Sequence, residues 1–259
     1  MAAPDATWVK RVDGGPVGYA DWEAAGLRWL GEATTGGGAD VVGVREVRSD
    51  GLVLDRLVAA APTAKAAEDF GAALASTHRA GAAAWGAPPP GWDREGWFGP
   101  AASPLPLEVG SWPSWGEMYA VRLAALTRLA RDARELDAED ASAVDRLGGR
   151  CAAGDFDTGD TPSRVHGDLW SGNLMWTAHG VVLIDPAAHG GHRESDLAML
   201  ALFGAPHLDR IVAAYEEVSP LDDGWRARIP LHQLHPLLVH AVLFGGGYAG
   251  QVMAAVRAC

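Results

Sequence analysis

Residues 165–199 read VHGDLWSGNLMWTAHGVVLIDPAAHGGHRESDLAM, and this stretch decides the fold class. Asn173 lies five positions after Asp168, and Asp185 follows the apolar run VVLI at 181–184. A short apolar run reads as a strand, which delivers the next residue to its C-terminal end. The run LMW at 174–176 reads as its partner. Three side chains able to carry a proton or a metal therefore fall on two loops, each abutting a short strand. Any one of them alone reads as a turn former, because Asn and Asp bond their own backbone and tolerate left-handed conformations. A turn needs neither the paired strand nor a second acid beyond it.

The spacing of Asp168 and Asn173 matches the Asp and Asn of the catalytic loop H-R-D-x-x-x-x-N of protein kinases. In that chemistry one Asp takes the proton of the acceptor hydroxyl. The Asn and a second Asp hold magnesium, which neutralises charge on the transferring phosphate. This makes Asp168 the base, and Asn173 and Asp185 the metal ligands. A phosphotransferase also needs a cation on the nucleotide phosphates. Lys10, in the predicted strand TWVKRV, is one of 2 lysines in a chain with 19 arginines. Its compact ammonium is a point charge that an arginine fork does not replace freely. Glu23, on the next predicted helix, is spaced to pair with it. Without the 165–199 stretch, the pair would read as an ordinary surface contact worth about 0–1 kcal/mol. Asp55-Arg56-Leu57 ends the predicted first lobe, where the backbone of Asp55 and Leu57 would meet the adenine edge of ATP.

The 259-residue chain is long enough for one large or two modest domains, and its 48% hydrophobic and 21% charged content is globular. A net charge of −12 repels nucleic acid and anionic membranes, so neither is an expected partner. It also repels free ATP, so nucleotide requires Mg2+ and local cations. The two cysteines lack metal-ligand spacing and suit a reducing cytoplasm. The first ten residues do not read as a secretory signal, and no apolar run is long enough to span a membrane. A monomer is expected.

Along the chain, the pattern predicts a strand at 7–12, a helix over 18–33 and a hairpin of VVGVREV and GLVLDRL around Ser49-Asp50-Gly51. A helix follows over 65–78. Residues 82–113 read as a long loop whose four tryptophans, Trp85, Trp92, Trp97 and Trp112, pin it to the core. Helices follow over 115–136 and 138–151, then a polar connector at 154–162. From Ser195 onward the chain reads as helical, with breaks at Pro206, Pro220, Pro230 and Pro236. The expected architecture is α+β and bilobal: a small β-rich lobe over 1–57 that binds nucleotide, and a larger, mainly helical lobe over 58–259 that carries catalysis and substrate.

Read together, WVK at 8–10, WEAAGLRWL at 22–30, HGDLWSGN at 166–173, IDPAAHGGHRESDLAM at 184–199, LFG at 202–204, AYEEVSPL at 214–221 and QLHPLLVHAVLFGGGY at 233–248 resemble the fructosamine kinase (ketosamine-3-kinase) family. These are relatives of the aminoglycoside phosphotransferases within the protein-kinase-like fold. HGD is shared by many small-molecule kinases; Trp170-Ser171-Gly172-Asn173 is the specific continuation. The resemblance implies ATP-dependent phosphorylation of the sugar 3-hydroxyl of a ketosamine, free or protein-bound, which makes the adduct labile and frees the amine. It implies Asp168 as base, Asn173 and Asp185 as magnesium ligands, and Lys10 on the phosphates with Glu23 orienting it. Trp170 packs against the substrate or pegs the catalytic loop. His166 orients the loop backbone, Glu194 and Asp196 brace the loops from the next helix, and GWFGP at 96–100 resembles a substrate-side loop.

The family places a glycine-containing hairpin ahead of the lysine, and a hairpin of ordinary strands needs at least ~15 residues. Nine residues precede Lys10. The expectation is a start assigned too far downstream, with a trimmed chain and a loss of nucleotide turnover as alternatives. Two other functions stand beside the leading one: a kinase for another hydroxylated amine such as an aminoglycoside, and a catalytically silent binding protein of the same fold.

Overall fold

The computed structural model describes residues 6–259. β1 (Thr7–Arg11) is followed by α1 (Tyr19–Glu32), which buries Trp22, Leu27, Trp29 and Leu30 on one face. After β2 (Asp40–Val41) come β3 (Val44–Arg48) and β4 (Gly51–Asp55), the expected hairpin. The antiparallel sheet runs β1-β4-β3, with Lys10 opposite Leu52. α1 packs on this sheet through Ala24 and Leu27 against Leu52 and Leu54.

The single strand expected for VVGVREV is divided. A side chain at Gly43 would meet the Asp55 carboxylate, its Cβ lying 2.1 Å from Oδ2, while the Asp55 N–H donates to the Gly43 carbonyl at 2.9 Å. The chain turns there, and β2 joins a different sheet, parallel to a strand from the sequence after Asn173.

α2 (Ala64–Arg79) is capped by the Thr63 hydroxyl, which accepts from the Ala66 N–H. Within 82–113 the structure contains a hairpin the sequence pattern did not reveal, β5 (Gly96–Phe98) with β6 (Leu105–Leu107). The tryptophans do pin this segment: Trp85 is buried, and Trp92, Trp97 and Trp112 pack on the same core. α3 (Trp115–Asp132) and α4 (Ala138–Ala152) follow as expected, then β7 (Ser163–Val165). β8 (Leu174–Thr177) and β9 (Gly180–Leu183) form the hairpin between the two acid loops, and β2 completes their sheet. β10 (His189–Gly191) pairs with β7. The chain ends in α5 (Arg193–Phe203), α6 (Leu208–Val218), α7 (Trp225–Phe244) and α8 (Tyr248–Ala258).

Breaks occur at Pro206 and Pro220 but not at Pro230 and Pro236, which lie inside α7. An interior proline removes one N–H and crowds the carbonyl four residues back. Near Pro236 the helix tolerates this because a side chain enters its hydrogen-bond ladder. The Tyr119 hydroxyl donates to the Leu231 carbonyl at 2.6 Å and accepts from the His235 N–H at 3.2 Å. It bridges a pair that an unbroken helix would join directly. No helix among the described residues is long and apolar enough to cross a membrane.

α2 and α6 meet at Gly71, where an added Cβ would lie 2.2 Å from the Ile211 carbonyl oxygen. Gly71→Ala should therefore overpack the contact and lower stability by about 1–3 kcal/mol in urea unfolding. Gly149→Ala is the control. It sits exposed in α4 with nothing within 4 Å, and should stabilise by up to about 1 kcal/mol through helix propensity.

Candidate active site

The catalytic segment leaves β7 at Val165 and turns at Gly167. With φ at 81° and a hypothetical Cβ only 2.2 Å from the Ala187 carbonyl oxygen, this position requires glycine. The turn hangs on Asp196. This buried carboxylate accepts from the His166 N–H at 2.7 Å and the Gly167 N–H at 3.0 Å. His78 on α2 contributes a third bond at 3.1 Å, and its other ring nitrogen meets the Tyr215 hydroxyl at 2.9 Å. Burial alone would raise the Asp196 pKa, but the bonds from His78 and His166 outweigh it and hold it below the ordinary value. The His166 ring donates from Nε2 to the Ile184 carbonyl at 2.9 Å and accepts the Asp168 N–H at Nδ1, 3.2 Å away. Both ring nitrogens of His166 are thus bonded to backbone groups of the two acid loops.

Asn173 lies at the end of a one-turn 3-10 helix, and its Nδ2 ties the two acid loops together. It donates to the Asp168 carbonyl at 2.8 Å, the Asp168 carboxylate at 3.1 Å and the Asp185 carbonyl at 3.3 Å. Its Oδ1 makes no hydrogen bond among the described residues. Asp185 adopts a left-handed backbone, φ 54°, which Asp tolerates better than most residues. Lys10 reaches across to this loop, its Nζ 2.9 Å from Asp185 Oδ1 and 2.7 Å from Glu23 Oε2. Burial works against the ammonium charge, but Glu23 and Asp185 more than compensate, and the Lys10 pKa is raised. Burial raises the Glu23 pKa, against the pull of Lys10. Burial also pushes Asp168 up to about 7, with Asp185 adding to the effect and the Asn173 bond opposing it. A carboxyl poised there suits a general base working near neutral pH.

These groups open into a cavity of about 680 Å3. Lys10, Tyr19 and Glu23 line it, as do Trp170, Phe203, His240, Leu243, Phe244 and Tyr248. Trp97 to Ala101 form a side wall, so the GWFGP segment faces the cleft. That wall is hung from α1: the Tyr19 hydroxyl donates to the Gly99 carbonyl at 2.6 Å, and Trp22 Nε1 to the Trp97 carbonyl at 2.9 Å.

Trp170 lines the cavity, 41% exposed, with its ring against Phe203. Asp196 bonds the backbone of the His166–Gly167 turn, whereas Glu194, expected to brace the same loops, turns to α7 and pairs with Arg228 Nη2 at 2.5 Å and Nε at 2.9 Å. Asp55 and Leu57 do not line this cavity. The Asp55 N–H is committed to Gly43 and its carboxylate to Arg45, so neither is free for adenine. The Leu57 side chain packs on the first-lobe core, and its N–H has no partner among the described residues.

A family model described as fructosamine kinase matches residues 17–259. The chain belongs to the fructosamine kinase family. It is 34% identical to a provisionally named ketoamine kinase of Lactiplantibacillus plantarum over 240 residues, 91% of this chain and 80% of that one. A crystal structure from Thermobifida fusca, provisionally named a fructosamine-3-kinase, superposes with a TM-score of 0.87 at 44% identity, covering 97% of this chain and 84% of the other. The match to an Enterococcus faecium relative, provisionally named a ketoamine kinase, is 45% identical over 93 residues, 36% of this chain, and spans 33% of that protein's length. An aminoglycoside phosphotransferase bound to ADP and hygromycin B shares the fold at 14% identity, TM-score 0.58, covering 91% of this chain and 83% of its own. The fold of this fructosamine kinase family member is thus α+β and protein-kinase-like.

The sequence reading missed Tyr19, His78 and the wall formed by Phe203, His240, Phe244 and Tyr248. His78 carried no signal beyond being a histidine on a helix. The wall lies within motifs already matched to the family, LFG and QLHPLLVHAVLFGGGY, to which no roles were given.

The depressed Asp196 pKa fixes the sign of a pH effect. Its stabilisation is fully present above the unfolded-state value near 3.9 and is lost as pH falls through the lower folded value. Asp196→Asn should lower stability at pH 7 by about 1.5–3 kcal/mol. The gap to wild type should narrow below about pH 4, read by thermal unfolding across pH.

Proposed function

We propose that this chain is an ATP-dependent ketosamine kinase that phosphorylates the sugar 3-hydroxyl of fructosamine- or ribulosamine-type adducts and thereby promotes deglycation of amines. The observation that carries the reading is the meeting of Asp168, Asn173, Asp185 and Lys10 in a cavity large enough for a ligand.

The acceptor hydroxyl lies against Asp168, which takes its proton as the oxygen attacks the γ-phosphorus. The bond from that phosphorus to the bridging oxygen breaks and ADP leaves. Lys10, held by Glu23, steadies the phosphates. Asn173 Oδ1 and the Asp185 carboxylate form an oxygen-only donor set suited to Mg2+. Bound there, Mg2+ supplies charge neutralisation at the phosphates. Adenine lies near the backbone at Leu57, and the lobes divide between Leu57 and Val58. Trp170 contacts the substrate. The wall from Trp170 to Tyr248 contains no carboxylate, an arrangement that favours a singly charged ketosamine over a polycationic aminoglycoside. With a net charge of −12, the chain is read as a cytoplasmic monomer without nucleic-acid or membrane partners.

The test is ADP release from Mg-ATP with a fructosyl- or ribulosyl-lysine derivative. Asp168→Asn should cut kcat by roughly 10²–10⁴. Lys10→Met should lower kcat/KM for ATP about ten- to a hundredfold, the loss of one charge-assisted contact of about 1.5–3 kcal/mol. Turnover unaffected by Asp168→Asn, or transfer to aminoglycosides but not ketosamines, would overturn the proposal.

A further inference from the structure

An aromatic cluster lining the cavity is built around a group that the phosphoryl transfer itself does not use. The His240 ring has Phe203 at 4.9 Å, Tyr248 at 5.0 Å and Phe244 at 5.3 Å, centroid to centroid. Three aromatic neighbours hold the imidazole in one orientation. Its Nδ1 donates to the Pro236 carbonyl one turn earlier at 2.7 Å. That bond fixes the tautomer and leaves Nε2 with an open lone pair. Nε2 makes no hydrogen bond among the described residues, although the ring is half-buried and lines the cavity. Burial holds the imidazole's pKa below its ordinary value, against the Pro236 bond, so the ring is neutral at physiological pH. Nε2 is therefore an acceptor without a protein partner among the described residues, open to a donor from a ligand in the cavity.

The surroundings indicate which donor fits. The rest of the wall is aromatic and aliphatic: Trp170, Phe203, Leu243, Phe244 and Tyr248. Aromatic faces attract a cation while presenting no counter-charge. In a ketosamine the amine nitrogen is on C1 and the reacting hydroxyl on C3. Asp168 and His240 line the same cavity, so a ketosamine with that hydroxyl at Asp168 has its nitrogen in the same enclosure, and Phe244 beside His240 is 63% exposed.

We propose that His240 is a specificity-determining residue for the acceptor, its Nε2 accepting a hydrogen bond from the secondary ammonium of the ketosamine while the aromatic wall holds the cation and its stem. This rests on the ketosamine kinase reading and narrows it: the enzyme selects the amine as well as the sugar.

The experiment compares wild type, His240→Leu and His240→Gln on two acceptors, fructosyl-lysine and a 1-O-alkyl ether of fructose that lacks the amine. ADP release with Mg-ATP and calorimetric binding of each acceptor are both measured. Wild type should prefer the amine. His240→Leu should raise KM and Kd for fructosyl-lysine about tenfold, the loss of one hydrogen bond to a charged group. It should leave KM for ATP, thermal stability and the ether's KM and Kd near wild type, so that the preference for the amine collapses. His240→Gln, which returns an acceptor oxygen, should recover part of the preference. Unchanged affinity of His240→Leu for fructosyl-lysine, or equal losses on both acceptors, would overturn the assignment. Wild type that binds fructosyl-lysine without turning it over would sink the kinase reading alone, because binding still tests His240. Wild type that does not bind it would sink both.

Discussion

A buried carboxylate cannot be left without donors, and the way Asp196 finds them organises the catalytic half of the molecule. Its donors come from two successive backbone N–H groups at the His166–Gly167 turn and from the His78 ring. Those bonds lock the catalytic loop to α5 and α5 to α2, and the Tyr215 hydroxyl on His78 extends the chain to α6. Each link replaces water for a group that burial would otherwise penalise. Asp168 inherits its position from this arrangement, because the turn at Gly167 sets where the next side chain emerges. Asn173 then closes the loop from the other side.

The second organising charge is Lys10. Between Glu23 on α1 and Asp185 beyond β9, it joins the first sheet to the acid loops through one ammonium group. Burial is the largest cause of the raised Asp168 pKa, and repulsion from Asp185 and Asp196 adds to it. The overall field of this acidic chain opposes a polyanionic ligand, so Lys10 is the local positive charge that the proposed nucleotide would meet.

Much of this was legible in the residues. The order Asp168, Asn173, Asp185 with its two short strands gave the acid loops, and the lysine in an arginine-rich chain gave the ammonium that meets Asp185. Local patterning located α1 to α4 closely. The pattern failed where tertiary contacts decide. The split at Gly43 depends on a carboxylate twelve residues later. Continuity of α7 through Pro236 depends on a tyrosine more than a hundred residues earlier. Glu194 and Asp196 look equivalent in sequence, yet opposite faces of the first turn of α5 send one to Arg228 and the other to the His166–Gly167 turn. The hairpin of β5 and β6 hid in a proline- and glycine-rich segment whose strands are three residues each, too short to show alternation.

The Tyr119 hydroxyl between Leu231 and His235 makes α7 behave as two rods spliced by a removable pin. The first rod is rooted in the core beside α5; the second carries His240 and Phe244 into the cavity. Because the pin belongs to α3, a substitution far from any ligand can re-aim the second rod without touching a residue that lines the cavity. Position 119 thus offers a way to reshape the cavity that leaves Asp168 and Asp185 in place, and a comparison confined to cavity-lining positions would miss it.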